Sequence, residues 1–249
     1  MNDYPSNVKE KLNFIISDMA NHHWLFANRP GHDFMRQNHG KLSFYDTMRL
    51  IIGMGKGNTN DEIMDYFDLD PDRIPSQSAF NQRRSQISLS AFEYLFSEFS
   101  SVFPATTNTF KDHCILACDG CHVVYTTNSE IIEDFNKPHL IDYKGYNHMH
   151  LNGFVDVISK AFIDVVIQPG QKPDERQALH IMLDHFQPDE PSKYIITADR
   201  GYESYDLLFH CELKHLSYVF RVKAPSSPKS ILSYYKNELP DEQDEFDVT

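Results

Sequence analysis

Two aspartates in this 249-residue chain stand where carboxylates can do chemistry. Asp199 directly follows the apolar run Tyr194-Ile-Ile-Thr-Ala198, and Asp119 directly follows a second apolar run, Cys114-Ile-Leu-Ala-Cys118. A glycine comes shortly after each aspartate. A carboxylate at the end of a buried strand is held on a rigid element and faces a crevice. The alternative for Asp199 is that it only forms a turn or caps the next helix.

The elements predicted between the two aspartates bring them together. Apolar alternation predicts strands over about 114–119, 148–158, 161–168 and 194–198, with a helix over 175–186 before the last of them. In this β-β-β-α-β order the fourth strand can lie parallel to the first, with the crossover helix packed on the sheet. Asp119 and Asp199 would then lie on adjacent strands. Close carboxylates repel each other unless a cation lies between them, and oxygen ligands suit Mg²⁺ or Mn²⁺.

Helical periodicity dominates the first hundred residues. It predicts helices over 6–26 and 44–54, a short helix from the capping pattern Thr59–Glu62, a longer one from Ser76 or Ser78, and another over 92–99. Residues 100–109 show no period and include a proline. We therefore predict a helical domain over 1–105 and a mixed α/β domain over 106–249.

The helix predicted from Ser76 or Ser78 has a polar face that suits DNA. Asn81, Gln82, Arg83 and Arg84 lie on it. Asparagine and glutamine can pair with adenine edges, and arginine with guanine edges or phosphates. A short helix, a turn and this polar helix resemble a helix-turn-helix. The alternative is an ordinary solvated helix face, because glutamine and arginine are good helix formers.

The composition of the chain bears on DNA binding, which its net charge opposes, and on where in the cell the protein acts. The net charge is −13, whereas DNA-binding proteins usually present a basic face. An acidic, base-free tail from Glu238 to Thr249 inflates the total, so DNA contact would have to be local. No apolar run reaches the roughly 18 residues of a membrane span, and the start does not resemble a signal peptide. We expect an intracellular protein.

Two further patterns admit a metal site, and each has a simpler interpretation. Cys118 and Cys121 have C-x-x-C spacing, but strand alternation turns them to opposite faces and no second pair completes a zinc shell. Reduced, buried thiols are therefore expected. His148 and His150 point to one side of a strand, where they are either metal ligands or two edge-strand histidines.

The run that ends in Asp119-Gly120, the antiparallel strands after it and the signature Ala198-Asp-Arg-Gly-Tyr202 resemble a DDE transposase of the insertion-sequence family four type. The resemblance extends from about residue 40 to the end of the chain, and the signature with the helix behind it is its most specific part. It implies a helical DNA-binding domain followed by a partial ribonuclease-H-like mixed β-sheet core. The implied activity is two-metal phosphoryl transfer that cuts and joins insertion-sequence ends.

The resemblance also implies roles for particular residues and partners. Asp119 would bridge two Mg²⁺ or Mn²⁺ ions, and Asp199 would hold one of them. Arg200 would reach a DNA phosphate, or else form a salt bridge, and Tyr202 would stack on a base, or else belong to the core. The partners implied are double-stranded DNA, at transposon ends and target, and a second copy in a homodimeric synaptic complex. The setting implied is the bacterial cytoplasm at the nucleoid, with no membrane.

The third acidic residue of the family is the main departure. In the family it is a glutamate in a Tyr-x₂-Arg-x₃-Glu-x₆-Lys motif, and Tyr218 and Arg221 match the first spacing while Pro225 stands at the glutamate position. Glu238 or Glu245 would replace it only in an unusual fold. We therefore expect a truncated product. The alternatives are a truncated, non-catalytic relative that binds DNA or inhibits a full-length transposase, and a metal-dependent nuclease that acts alone.

Overall fold

Two units divide the chain, one over Met1–Val102 and the other over Phe103–Thr249. The structure is a computed structural model, and it describes residues 4–28, 34, 41–101, 109–137 and 144–235. No helix in these ranges is long and apolar enough to cross a membrane. The acids Glu238 and Glu245, considered above as replacements, fall outside the described residues.

The first unit is helical where it is described. Its helices are α1 (Tyr4–Asn21), α2 (Phe44–Gly53), α3 (Thr59–Tyr66), α4 (Gln77–Gln86) and α5 (Leu89–Ser101). Apolar residues of α1, α2 and α5 form one buried cluster, which includes Ile16 and Met48. A second cluster joins α2, α3 and α4 through Leu50, Ile63 and Phe80. The segment from α3 to α4 is thus a helix, a turn and a helix on a shared core.

The caps of these helices follow from short polar side chains, with one difference from the sequence prediction. The side chain of Ser76 accepts a hydrogen bond from the amide of Ala79 at 3.2 Å, so Ser76 rather than Ser78 caps α4. At α3 the cap is Asn58, whose Oδ1 accepts from the amide of Asp61 at 3.0 Å. Thr59 is therefore the first residue inside the helix rather than its cap, because an asparagine stands directly before it.

A six-stranded mixed sheet forms the centre of the second unit. Its strands are β1 (Cys114–Tyr125), β2 (Phe135–Asn136), β3 (Tyr146–Asp156), β4 (Phe162–Pro169), β5 (Tyr194–Ala198) and β6 (Ser217–Phe220). The order is β2-β3-β1-β5-β6. β4 also pairs with β3, on the edge that faces away from β1, beyond the short stretch that pairs with β2. β1 is antiparallel to β3 and parallel to β5, which confirms the predicted neighbourhood of the first and last strands.

The sheet differs from the prediction at β1 and β2. β1 continues beyond its predicted end near residue 119, because it pairs with β3 from Leu116 to Tyr125. β2 lies outside the predicted strands: Phe135 and Asn136 pair with the start of β3. Both differences come from β3, whose length provides hydrogen-bond partners that the local sequence does not reveal.

Two helices, α6 (Glu175–His185) and α7 (Tyr205–Leu213), cover one face of the sheet and share a buried core with its strands. The buried side chains alternate along the strands, as a one-sided sheet requires. They include Leu116 and Cys118 of β1, Ile196 of β5 and Leu179 of α6. Asp119 is the next residue after Cys118 and is exposed, so the alternation turns its side chain away from this core.

Candidate active site

The two aspartates lie at neighbouring positions in the sheet. Cys118 of β1 pairs with Ala198 of β5 in parallel register, and each is followed by its aspartate. Asp119 and Asp199 are both exposed, at the end of the paired segment of the two strands. The fold thus brings together two residues that stand 80 positions apart in the sequence.

Each carboxylate is oriented by a nearby glycine amide. The amide of Gly120 donates to Oδ1 of Asp119 at 2.8 Å, and the amide of Gly201 donates to Oδ1 of Asp199 at 2.6 Å. Within the described part of the chain, neither Oδ2 atom has a hydrogen-bond or ion-pair partner. Each aspartate therefore presents one anchored and one available oxygen, which suits a metal ligand whose orientation must be fixed.

The turn that carries Asp199 is fixed at successive carbonyl groups. The carbonyl of Asp199 accepts from the amide of Tyr202 at 3.2 Å. The next carbonyl, of Arg200, accepts from Nζ of Lys223 at 3.1 Å, and that of Gly201 accepts from Nε of Arg176 at 3.1 Å. Two cationic side chains from outside the turn thus hold its backbone, which limits the movement of Asp199.

A buried ion pair ties the same turn to the segment after β6. The side chain of Glu203 is fully buried, and its Oε1 lies 2.5 Å from Nζ of Lys223. Its second oxygen accepts from the backbone amide of Lys223 at 2.7 Å. The ammonium group of Lys223 is thus bound both to Glu203 and to the turn of Asp199.

Tyr202 and Arg200, both candidates for DNA contact, lie in opposite environments. The ring of Tyr202 is 1% exposed and belongs to the core, so it is unavailable for stacking on a base. Burial raises the pKa of Tyr202 far above its usual value, and burial raises the pKa of the neighbouring Cys118 thiol to about 12. Both groups stay protonated near neutral pH. The side chain of Arg200 is exposed, with no bonded partner among the described residues.

Glu175 also belongs to the site, although the sequence interpretation used it only as the first residue of a helix. Its Oε1 lies 3.1 Å from Nε2 of His150, a side chain of β3 that is 3% exposed. A Cβ at Gly120 would lie 2.8 Å from Oε1 of Glu175, and a Cβ at Gly201 would lie 3.5 Å from its Oε2. The Glu175 carboxylate therefore lies in the space that a side chain at either of the two glycines would enter.

Gly120→Ala is expected to destabilise the protein, because the new methyl group would overlap the imidazole of His150 and the carboxylate of Glu175. Overpacking of this kind costs about 1–3 kcal/mol. Urea unfolding of the two proteins measures the difference. Gly53→Ala is the matched control: no atom lies within 4 Å of its added Cβ, so it should be neutral or stabilising. Equal effects of both changes would refute the close packing at Gly120.

The donor set fits a magnesium-like cation held by few protein ligands. No three His, Cys, Asp or Glu side chains converge as a metal-binding group anywhere in the described ranges. Mg²⁺ keeps several waters and is commonly held by one or two carboxylates together with substrate phosphates. Asp119 and Asp199 meet that requirement with oxygen ligands alone.

The cysteines and histidines considered as metal ligands have other environments in the structure. All four cysteines are free, and Cys121 is exposed, which differs from the expectation that the thiols are buried. Cys121 lies in the part of β1 beyond Cys118, where no residue is buried. Nε2 of His150 faces Glu175, and Nδ1 of His148 contacts the side chain of Asn136. Each ring thus has one nitrogen engaged by a protein side chain.

The candidate DNA-contacting residues of α4 differ in availability. Asn81, Gln82 and Arg84 are exposed. Arg83 is half-buried, and its Nη1 donates to Oε1 of Gln86 at 3.0 Å. Its guanidinium carbon also lies 5.0 Å from the centre of the Phe34 ring. Arg83 would have to leave these contacts in order to reach a base. Arg84 has a looser ring contact, with its guanidinium carbon 5.9 Å from the centre of the Phe80 ring.

Comparison with known proteins assigns the second unit to a family. A family model described as the transposase DDE domain matches residues 111–248, which is more than half of the chain. No curated protein matches the chain at a significant level. The matched range includes the whole six-stranded sheet, helices α6 and α7, and both aspartates. The chain therefore belongs to the transposase DDE domain family.

Proposed function

We propose that this protein cuts and joins DNA at the ends of an insertion sequence of the family four type. Family membership implies a transposase that acts on DNA. One observation carries the finer proposal: Asp119 and Asp199 follow paired positions of two parallel strands, and each presents a carboxylate oxygen without a partner in the described residues. This arrangement supports phosphoryl transfer assisted by Mg²⁺ or Mn²⁺.

The residues of the site would divide the work as follows. Asp119 and Asp199 would hold the divalent cations, and Arg200 would contact a phosphate oxygen near them. When bound, such cations activate a water or a 3′-hydroxyl and neutralise charge on the leaving oxygen. Lys223 and Arg176 hold the turn of Asp199 and so keep its carboxylate in place. Phosphoryl transfer depends mostly on such positioning and charge neutralisation.

Helix α4 is the element that we propose for contact with double-stranded DNA in the first unit. Asn81, Gln82 and Arg84 would meet base edges or phosphates, with Arg83 joining after release from Gln86. Because the net charge is −13, contact has to come from such local positive groups. A homodimer that holds two DNA ends, acting at the bacterial nucleoid, completes the proposal.

Arg84→Ala is expected to weaken DNA binding and to lower the salt slope of the binding constant by about one, because one phosphate contact is lost. Fluorescence anisotropy with a labelled duplex at several salt concentrations measures both. Arg73→Ala is the control, since Arg73 also lies over a phenylalanine ring, 5.5 Å from the centre of Phe67, but outside α4. If both variants bind DNA as the unchanged protein does, α4 is not the contact surface.

The second candidate function is binding without cleavage. It is favoured by the absence, within the described ranges, of a converged group of three acidic or histidine ligands. A relative of this kind would occupy insertion-sequence ends, or pair with an active transposase and dampen it.

One experiment separates these functions. The purified protein is incubated with labelled duplexes taken from the DNA on either side of its gene, with Mg²⁺, with Mn²⁺ or with EDTA. Metal-dependent nicking at defined ends, followed by joining of the 3′ ends to a second duplex, is the proposed result. Binding without nicking under all three conditions would favour the second candidate. Nicking of unrelated DNA at the same rate would indicate a nuclease without end specificity.

A further inference from the structure

We propose that His180 of α6 and His210 of α7 form a pH-sensitive clasp between the two helices, which is closed when their rings share one excess proton and opens when a second one binds. An excess proton is one beyond the single N–H of a neutral imidazole. The clasp is separate from the pair of aspartates at the ends of β1 and β5. It adds a response to acid pH to the proposed function.

One histidine and one aspartate from each helix make up the clasp. Nε2 of His180 lies 2.9 Å from Oδ2 of Asp206. Nε2 of His210 lies 3.2 Å from Oδ1 of Asp184. The Nδ1 atoms of the two rings lie 2.8 Å apart, and the rings are nearly parallel, with an interplanar angle of 18°. The contacts thus form one continuous chain from Asp206 through both rings to Asp184.

The chemistry of the donors and acceptors fixes the number of protons in this chain. Each carboxylate is an acceptor, so each Nε2 has to donate an N–H. The contact between the two Nδ1 atoms needs one donor and one acceptor, so it holds a single proton. Three protons on two rings make one imidazole and one imidazolium. Two neutral rings leave one contact without a hydrogen, whereas two charged rings place two N–H groups against each other.

The groups around the rings favour one charge on the pair and oppose a second. The side chains of His180 and His210 are only 20% and 16% exposed, so water screens little of the repulsion between them. Burial lowers the pKa of His210, and the charges of His180 and Lys214 lower it further, against the opposing effect of Asp184. His210 is therefore the ring that stays neutral while the clasp is closed.

Other titratable groups on the strands that pack against α6 and α7 are engaged elsewhere. Asp119 of β1 points away from the core that these helices cover. The remaining strands pair their groups with other side chains: Asp164 of β4 contacts His185, His150 of β3 contacts Glu175, and the Tyr218 hydroxyl of β6 bonds to Glu212. The pH response assigned to the clasp therefore depends on its four side chains and on Lys214.

Acid opens the clasp because the unfolded chain binds more protons than the closed clasp does. An unfolded histidine takes up its proton around the ordinary pKa of 6.5, whereas the pKa of His210 in the fold is lower. The folded state consequently holds fewer protons below pH 6.5, and its stability falls as the pH falls through that range. Above pH 6.5 the contribution of His210 is fully present.

The clasp joins the two helices that flank the turn of Asp199. α7 begins at Tyr205, shortly after this turn, and Nε of Arg176 in α6 donates to the carbonyl of Gly201 within it. An open clasp leaves α7 without these contacts to α6 beside the turn. Acid therefore weakens the support of the Asp199 turn on the side of α7.

The first test counts the protons by NMR of the full chain labelled with ¹⁵N-histidine. Ring nitrogen shifts distinguish a nitrogen that carries a proton from one that does not. Near pH 6.5 three of the four nitrogens of the clasp are expected to be protonated, and below about pH 5 all four, with separate steps for the two rings. Protonation of both rings in a single step, or two neutral rings near pH 6.5, would overturn the proposal.

The second test follows the Tm of the unchanged protein and of His210→Gln from pH 7 to pH 5. Glutamine keeps an amide donor towards Asp184 but takes up no proton, so the Tm of the variant should fall less in acid. If the second proton binds tenfold more weakly in the clasp than to a free histidine, the two falls differ by about 3–5 °C. Equal falls would contradict the clasp.

His185→Gln is the matched control for this comparison. It removes another histidine of α6, whose described contact is with the single carboxylate of Asp164 at 2.8 Å. Its Tm should fall between pH 7 and pH 5 as that of the unchanged protein does. A fall reduced as much as in His210→Gln would show that any histidine of α6 or α7 has the effect, and the clasp would be refuted.

The outcomes are independent of the proposed function. The proton count uses the unchanged protein, so it decides the matter even if His210→Gln does not fold. Neither measurement involves DNA or a metal ion. The clasp can therefore fail while DNA cleavage at the two aspartates stands, and cleavage can fail while the clasp stands.

Discussion

Asp119→Asn and Asp199→Asn are each expected to lower metal-dependent DNA cleavage by about a hundredfold to ten-thousandfold. Asparagine keeps the shape of the side chain but removes the charge that holds a cation. Charge stabilisation by such a cation contributes several kcal/mol to the transition state, and each 1.36 kcal/mol corresponds to about a tenfold change in rate. The initial rate of nicking at saturating Mg²⁺ measures the effect.

A matched control and a double variant sharpen this result. Asp112→Asn makes the same chemical change just before the other end of β1, at an exposed residue with φ of 66°, a conformation that asparagine tolerates well. It should cleave at the normal rate. The double variant of Asp119 and Asp199 should be little worse than either single variant, since the two residues act as one unit. Normal cleavage by both single variants would contradict the assignment of the site.

Lys223→Met is expected to lower the free energy of unfolding by about 3–5 kcal/mol, because it leaves the buried carboxylate of Glu203 without its partner. Methionine keeps most of the volume of the lysine side chain. The turn of Asp199 also loses the bond to the carbonyl of Arg200, so cleavage should fall as well. Denaturant unfolding measures the stability term.

The double variant Glu203→Gln with Lys223→Met separates the ion pair from other effects of the methionine. A neutral pair leaves no buried charge, so the double variant should recover much of the lost stability. If Lys223→Met alone changes the free energy of unfolding by less than about 1 kcal/mol, the range of an exposed pair, the ion pair is not the anchor of the turn.

The same pair gives the stability a dependence on acid pH. Burial opposes ionisation of Glu203, but the hydrogen bonds and charge of Lys223 outweigh it and lower the pKa of Glu203 below its ordinary value of 4.5. A lowered folded pKa stabilises the protein above the ordinary value, and the contribution is lost as the pH falls through the folded pKa. The stability difference between the unchanged protein and Glu203→Gln should therefore shrink below about pH 4.5.

Strand patterns made the arrangement of the two aspartates predictable from the sequence. The runs before Asp119 and Asp199 are apolar, each ends at its aspartate, and only one helix lies between the third and fourth predicted strands. The bounds of β5 at Tyr194 and Ala198 follow the same signal. These are local patterns, and the handedness of strand connections extends them to the pairing of β1 with β5.

The contacts that complete the site depend on chain segments that are distant in sequence. Glu203 and Lys223 are 20 residues apart, and His150 and Glu175 are 25 apart. The hydrophobic periodicity of the sequence does not predict contacts between residues so far apart. The sequence left two environments open for Tyr202, stacking on a base or the core, and the packing of α6 and α7 against the sheet places it in the core. The sequence gives no signal that Glu175 lies near the aspartates, because a glutamate in the first turn of a helix is favourable by itself.

The most direct test of the account is anomalous diffraction from crystals of the full chain soaked in Mn²⁺. The account predicts an anomalous peak between the carboxylates of Asp119 and Asp199, with oxygen atoms of both within bonding distance of the ion. Ordered carboxylates with no peak beside them, or a peak at His148 and His150 instead, would contradict the claim that these two strand ends form the catalytic centre.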